Sequence, residues 1–203
     1  MRRDKRVQRT VKRSFDVVVA AALLVVLSPL LIVIALAIRV SSGAPVLFRW
    51  NVVGKDRRPF TSFKFRTMVT NADQLKRQLL DQNEMRGPVF KMKDDPRITP
   101  VGRVLRKFSL DELPQLWSVL KGDISLVGPR PPLAYEYPKF QEWQKRKLSV
   151  RPGMTSLWHV SGKPAGFDEW VRLDLEYIDH WSLWLDFKIL LKTVRIVLTG
   201  KNY

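Results

Sequence analysis

The chain has 203 residues, 45% of them apolar, which suffices for one domain with a buried core and excludes a wholly disordered polypeptide. Its formal charge of +17 requires anionic partners: nucleic acid, acidic lipid headgroups or phosphorylated small substrates. The absence of cysteine excludes disulfides, thiolate metal sites and a thiol nucleophile, and agrees with a reducing compartment.

The first element runs from Val17 to Ile38 without a charge, long enough for a helix to cross a hydrocarbon layer, which takes roughly 20 residues. A cleaved signal peptide would fit the basic start but not the length of the run or Arg39 ahead of the small residues Ser41 to Ala44. Ser28-Pro29 stands at the centre, where proline removes a backbone donor and bends the helix. Arginines and lysines flank the run on both sides, from Arg2 to Arg13 and from Arg39 to Arg58, which favours the cytoplasmic side for both ends. The preferred reading is a re-entrant membrane helix-break-helix, with a kinked spanning helix as the alternative. Asp16 and Arg13 fall at its mouth, where snorkelling and mutual pairing account for them. The chain therefore divides into a basic N-terminus with a membrane hairpin, residues 1–40, and a domain at the cytosolic face, residues 41–203.

Val46 to Trp50 reads as extended, and Phe63 and Phe65 alternating with Lys64 and Arg66 predict a strand that presents cations on one side. Asn71 to Leu80 predicts a short polar helix, and Gln82 to Asp95, without a period, a loop. Thr99-Pro100 opens a helix in which Val101, Val104, Leu105 and Phe108 share a face. A second helical pattern passes through Leu113, Leu116, Trp117 and Leu120 and ends at Gly122. Further on, Trp170, Val171, Tyr177 and Ile178 share a helix face with Asp174, a carboxylate that needs either a metal or a structural cation such as an arginine. The last helix carries Leu183, Trp184, Phe187, Leu190, Leu191, Val194, Val197 and Leu198 on one side, with Asp186, Lys188, Lys192 and Arg195 opposite. Core packing explains this pattern, and so does an amphipathic helix in the membrane interface. The fold class expected is mainly α with a small β or extended element, the amphipathic interfacial helices surrounding a small catalytic domain.

The stretch RVLRKFSLDELPQLWSVLKGDISLVGPRPP, from Arg103 to Pro132, centres on the carboxylate pair Asp111-Glu112. Ser109 and Glu112 have capping-box spacing, and acids near a helix N-terminus meet its dipole favourably, so the pair has a purely structural explanation. The surroundings suggest more. Arg106 lies one to two turns upstream, Arg130 is held between Pro129 and Pro131 after Gly128, and Arg151-Pro152-Gly153 is another tight turn. Arginines on stiff segments suit bidentate phosphate binding. Acids among them suit attack on phosphorus and the binding of Mg2+ on a diphosphate, and the basic setting is expected to keep Asp111 ionised. No P-loop, zinc pattern or dinucleotide fingerprint is present, and neither His159 nor His180 has an obvious nucleophile beside it.

The basic-hydrophobic start with Lys12-Arg13 and Asp16, the Ser28-Pro29 break, FKFRTM at Phe63 to Met68, LDELPQLWSVLKGDISLVGPRP, RPGMTSLWHVSGK and the tryptophan-rich end together resemble the bacterial sugar transferases, the monotopic phosphoglycosyl transferases. The resemblance implies a magnesium-dependent enzyme at the cytosolic face of the inner membrane. Such an enzyme moves a hexose 1-phosphate from a UDP-sugar to polyprenyl phosphate through an aspartyl intermediate and releases UMP. It implies Asp111 as nucleophile, Glu112 as metal-binding or acid/base partner and Arg106 as phosphate ligand, with Lys64, Arg130, Arg151 and Arg13 as further substrate-binding candidates. Asp111, Glu112 and Asp174 are the candidate metal ligands. The YIDHWSLWLDFKILLKTV ending resembles the exopolysaccharide members that transfer glucose or galactose phosphate. Those often carry extra N-terminal membrane helices, which leaves a minimal protein or an excised catalytic domain here. The partners implied are UDP-sugar, polyprenyl phosphate and anionic membrane lipids, not nucleic acid, with homo-oligomerisation left open. The competing reading, a non-enzymatic membrane-anchored binder of nucleic acid or acidic lipid, explains the charge and leaves Asp111-Glu112 without a purpose.

Overall fold

A computed structural model of the chain describes residues 2–85, 87–164 and 166–200. It is mostly helical, as expected, with two small two-stranded sheets where one small β or extended element was expected. Helix α1 (Arg2–Val26) is followed after Leu27 by α2 (Ser28–Ser42), and the two meet at a bend of 61°. Proline cannot donate to the carbonyl four residues back, and Ser28 Oγ donates to that carbonyl, Val25 O, at 2.8 Å. The break is thus hydrogen-bonded from within. Among the described residues no single helix is long and apolar enough to cross a membrane. Val18, Val25, Val26, Ile32, Val33 and Leu36 of the pair are exposed, whereas Ala20, Ile34 and Ile38 are buried in the protein.

Strands β1 (Leu47–Val53) and β2 (Pro59–Phe65) form an antiparallel hairpin, with Trp50 opposite Ser62 and Phe48 opposite Lys64. After α3 (Ala72–Gln78) and an irregular stretch, α4 (Pro100–Lys107) starts as expected, with Thr99 Oγ1 accepting from Gly102 N at 3.0 Å. Gly102 is there for proximity: a Cβ would collide with the Thr67 carbonyl, so glycine lets α4 lie directly on the end of the hairpin. Val104, placed by periodicity on the buried face, is 56% exposed, while Leu105 is buried against Ile34 and Ile38 of α2 and Phe65 of β2.

The second helical pattern is shorter than predicted. Leu110–Gln115 is a 3-10 turn, and only Leu116–Lys121 is α-helix (α5). Pro114 explains the difference, since it lacks an N–H and disfavours helical geometry at the residue before it. The capping box does not form: Ser109 is left-handed (φ 53°) and its side chain makes no cap bond. Strands β3 (Ser125–Val127) and β4 (Gly153–Thr155) pair in parallel, an element the pattern analysis did not contain. Their pairing zips the two proline-glycine motifs together: Gly128 N donates to Thr155 O at 3.0 Å and Gly153 N to Pro129 O at 3.0 Å. A Cβ on Gly153 would overlap the backbone of Gly128. Short helices α6 (Glu142–Lys145) and α7 (Leu157–Val160) precede the long α8 (Phe167–Asp179) and α9 (Leu183–Thr199).

The main core joins Ala20 of α1 to Leu116 and Val119 of α5, Ile124, Leu126 and Val127 at β3, Tyr177 of α8 and Ile189 of α9. A second core gathers Phe140, Trp158, Phe167, Trp170 and Val171. On α9 the expected sides are partly exchanged. Asp186 is buried, while Trp184, Phe187, Leu191, Val194 and Leu198 are exposed by 46–76%. Asp186 Oδ2 accepts from Lys12 Nζ at 2.6 Å and from Trp181 Nε1 at 3.1 Å, and Oδ1 accepts from Tyr177 OH at 2.7 Å. The carboxylate is thus the centre of a knot between the first and last helices. Arg13 and Asp16 do not pair with each other at a polar mouth. Asp16 is buried and accepts from Leu126 N at 3.2 Å, and Arg13 donates to Val119 O and Leu120 O at 2.6 and 2.7 Å, capping the C-terminal end of α5.

Candidate active site

Asp111 and Glu112 sit in the 3-10 turn that runs beside β2, so the hairpin delivers Lys64 to them. Lys64 Nζ donates to Glu112 Oε1 at 2.5 Å, with the two side chains 11% and 21% exposed. The same ammonium lies 4.1 Å from the ring centroid of Trp50. Arg106, on the last turn of α4, donates from Nε to Thr67 Oγ1 at 2.9 Å, and its charge acts on both Asp111 and Asp95. Asp95 itself is gripped by the fork of Arg97, at 2.8 and 2.6 Å, which fixes the end of the preceding loop. Arg130, stiffened by its prolines and by the β3–β4 zipper, places its guanidinium carbon 5.5 Å from the centroid of Trp50 and 5.9 Å from that of Trp170.

Two further groups join them. Both Lys163 and His159 lie within electrostatic reach of Glu112 and Arg130. They come from the RPGMTSLWHVSGK segment, whose α7 is held by Ser156 Oγ accepting from His159 N at 3.2 Å. His159 Nε2 is buried and has no hydrogen-bond partner. Spacing gave no sign of this convergence, because β4 and α7 reach the carboxylates through a parallel pairing of three-residue strands. A basic residue after a turn glycine, Lys163 following Gly162 (φ 84°), was the only local signal.

The electrostatics separate the two acids. Burial raises the Glu112 carboxyl, but Lys64 and Arg130 outweigh it and hold the group at about 2. Asp111 moves the other way: burial raises it and the neighbouring Glu112 charge adds to the effect, against Lys64 and Arg106. Within the protein alone the basic setting thus does not lower the Asp111 carboxyl, since burial and Glu112 outweigh Lys64 and Arg106. Burial, then the like charge of Arg130, brings Lys163 down to about 8. Burial, then Lys163, brings His159 down to about 4. Burial likewise lowers Lys64, with Arg130 adding and Glu112 opposing. Four cations, Lys64, Arg106, Arg130 and Lys163, thus lie within electrostatic reach of the two acids.

The remaining sequence candidates lie elsewhere. Arg151 is exposed and lines a separate cleft of about 400 Å3 with Lys55, Arg58 and Asp123. Arg13 is engaged with the end of α5. Asp174 is fully buried and its Oδ2 lies 2.6 Å from Lys147 Nζ, itself buried against the Trp170 ring at 4.8 Å. This is the structural cation pairing considered above, made by a lysine where an arginine was expected. Among the described residues no group of three or more His, Cys, Asp or Glu side chains is placed to hold a metal ion. Asp111 and Glu112 are nevertheless two adjacent hard oxygen donors. That set suits Mg2+, which takes one or two carboxylates and completes its shell from substrate phosphates and water.

Residues 7–200 match the family model described as bacterial sugar transferase. The chain is 52% identical over 160 residues to the galactosyl transferase CpsE of Streptococcus agalactiae serotype III, covering 78% of this chain and 36% of that protein. It is 42% identical over 199 residues to the undecaprenyl-phosphate galactose phosphotransferase of Salmonella typhimurium, covering 96% and 42%. It is also 38% identical over 196 residues to the exopolysaccharide production protein ExoY of Sinorhizobium fredii, covering 94% and 87%. The chain thus spans about two fifths of the length of the first two relatives and most of the third.

Proposed function

The chain belongs to the bacterial sugar transferase family, and on that premise we propose that it transfers a hexose 1-phosphate from a UDP-sugar to polyprenyl phosphate, releasing UMP. Glucose and galactose are the favoured sugars. The relatives' names support the acceptor and the sugar class. The single observation that carries the reading is a carboxylate pair, Asp111 buried and Glu112 half-buried and already neutralised by Lys64, within the field of Arg106, Arg130 and Lys163.

In the proposed reaction the Asp111 carboxylate attacks the sugar-bearing phosphorus. An oxygen–phosphorus bond forms to Asp111, the bond to the UMP oxygen breaks, and that electron pair leaves with UMP. An oxygen of polyprenyl phosphate then attacks the same phosphorus and returns the bonding pair to Asp111. Arg106 and Arg130 hold the equatorial phosphate oxygens as charge spreads over them. Lys64 keeps Glu112 ionised and fixed. Asp111 and Glu112 are the residues that would hold Mg2+, which when bound neutralises the diphosphate and favours the ionised form of Asp111.

The N-terminal helix pair is proposed to enter the bilayer and return to the cytosolic face, on the support of its 61° bend, its internally bonded break and its exposed apolar residues. UMP release across a panel of UDP-sugars, with and without polyprenyl phosphate and with and without a chelator, tests the activity. Release that requires donor and magnesium, and runs to about one equivalent without lipid, is expected. No release with any UDP-sugar overturns the reading, and full release in the chelator removes the metal from it. Tags on both termini accessible only from the cytosol are expected for the helix pair.

A further inference from the structure

Trp50 is 6% exposed, and its Nε1 is buried without a hydrogen-bond partner. A buried indole N–H ordinarily finds an acceptor, and leaving it bare is unfavourable. Within the protein the N–H therefore contributes no bond, and what Trp50 offers its neighbours is the ring. In the hairpin register Trp50 faces Ser62, which makes Lys64 its diagonal neighbour on the same face of the sheet. Lys64 Nζ lies 4.1 Å from the ring centroid and the Arg130 guanidinium carbon 5.5 Å from it.

These two cations repel each other. Glu112 offsets the charge of Lys64 through one oxygen. The prolines beside Arg130 fix its backbone, and the end of its side chain meets the rings of Trp50 and Trp170, at 5.5 and 5.9 Å. The negative face of an indole attracts both cations without occupying any of their hydrogen-bond donors. We propose that Trp50 is a positioning residue, whose ring face holds Lys64 and Arg130 at the spacing that an incoming phosphorylated substrate meets. A carboxylate in its place would also hold them, but would use up the donors and cancel the charge that a phosphate needs. The substrate named here rests on the function proposed above, whereas the placement of the two cations does not.

The 203-residue chain in lipid nanodiscs, as wild type, Trp50→Phe and Trp50→Leu, provides the test. Leucine keeps apolar volume and removes the π face, and phenylalanine keeps a face and removes the bare N–H. With lysine 13C-labelled at Cε, the Lys64 Cε protons, identified by their loss in Lys64→Arg, are expected upfield of the other lysines in wild type. The displacement should be smaller in Trp50→Phe and absent in Trp50→Leu. With UDP-sugar as donor, KM is expected to rise roughly tenfold in Trp50→Leu, with kcat within about threefold, and to return most of the way in Trp50→Phe. A Lys64 signal at the common lysine position in wild type overturns the proposal, as does equal KM for the two variants. If wild type turns over no UDP-sugar, the function proposed above fails and the Lys64 signal alone decides the placement. If Trp50→Leu does not fold, wild type and Trp50→Phe spectra decide it.

Discussion

Two carboxylates of this protein meet a lysine in nearly the same way, Asp186 with Lys12 at 2.6 Å and Glu112 with Lys64 at 2.5 Å, and their surroundings give them opposite uses. Around Asp186 the count closes: one ammonium, one phenol and one indole N–H saturate the two oxygens, and Lys12 spends a further proton on Val127 O. Around Glu112 the setting differs: Arg130 and Lys163 lie within its electrostatic reach, Arg106 acts on its neighbour Asp111, and His159 Nε2 has no partner. The first ion pair ties elements together, and the second is the one proposed above to meet a ligand.

The largest effect expected is at Asp111. Asp111→Asn keeps shape and packing and should reduce UMP release by on the order of a thousandfold or more, without changing thermal stability appreciably. Robust turnover in that variant would place the nucleophile elsewhere. The opposite profile is expected for Asp186→Ala, which strands Lys12 and two donors. Unfolding should become easier by about 3 kcal/mol, while the folded fraction keeps its kcat. A drop in kcat with stability intact would make the knot part of the site and break the contrast. Glu112→Gln should lower turnover about a hundredfold while stability falls little. Near-normal turnover would reduce Glu112 to a structural partner of Lys64.

A pH series sharpens the same contrast. Lys163, brought down to about 8 by burial and by Arg130, is charged below that pH and neutral above it, so donor KM should rise as pH passes 8. Lys163→Arg should keep KM flat through that range, because guanidinium stays charged. A KM that rises equally in both proteins would assign the dependence to another group. The smallest effect is expected for Tyr177→Phe, which removes one of the donors to Asp186 and should cost about 1 kcal/mol on unfolding, with KM and kcat unchanged.

Much of the scaffold was legible because its signals are local. The hydrophobic run with its central proline, the Thr99-Pro100 start and the alternation at Phe63 to Arg66 each state a conformation within a few residues. The strand prediction also expected Lys64 and Arg66 to present their charges together, and there it went astray. Lys64 reaches Glu112, but Arg66 turns inward and donates to Ser42 O and Gly43 O at the end of α2. On α9 the polar stripe misled in the same way, since a buried aspartate and an exposed one are indistinguishable until the partner lysine, 174 residues away, is placed. Asp111, Glu112, Lys64, Arg106 and Arg130 could be gathered from motifs. His159 and Lys163 lie in the RPGMTSLWHVSGK motif, but its place beside the acids depends on the pairing of β3 with β4, as that of Trp50 depends on the pairing of β1 with β2.

The Lys12–Asp186 pair also sets a clock on the making of the protein. Lys12 leaves the ribosome 174 residues before Asp186, an interval of about 9 to 35 s at synthesis rates of roughly 5–20 residues per second. Through that time α1 carries an ammonium without its carboxylate, and the core around Ala20 lacks the contribution of Ile189. Until then the apolar N-terminal helices are sheltered by something other than the finished core, and the bond that locks α1 to α9 forms only after α9 has emerged.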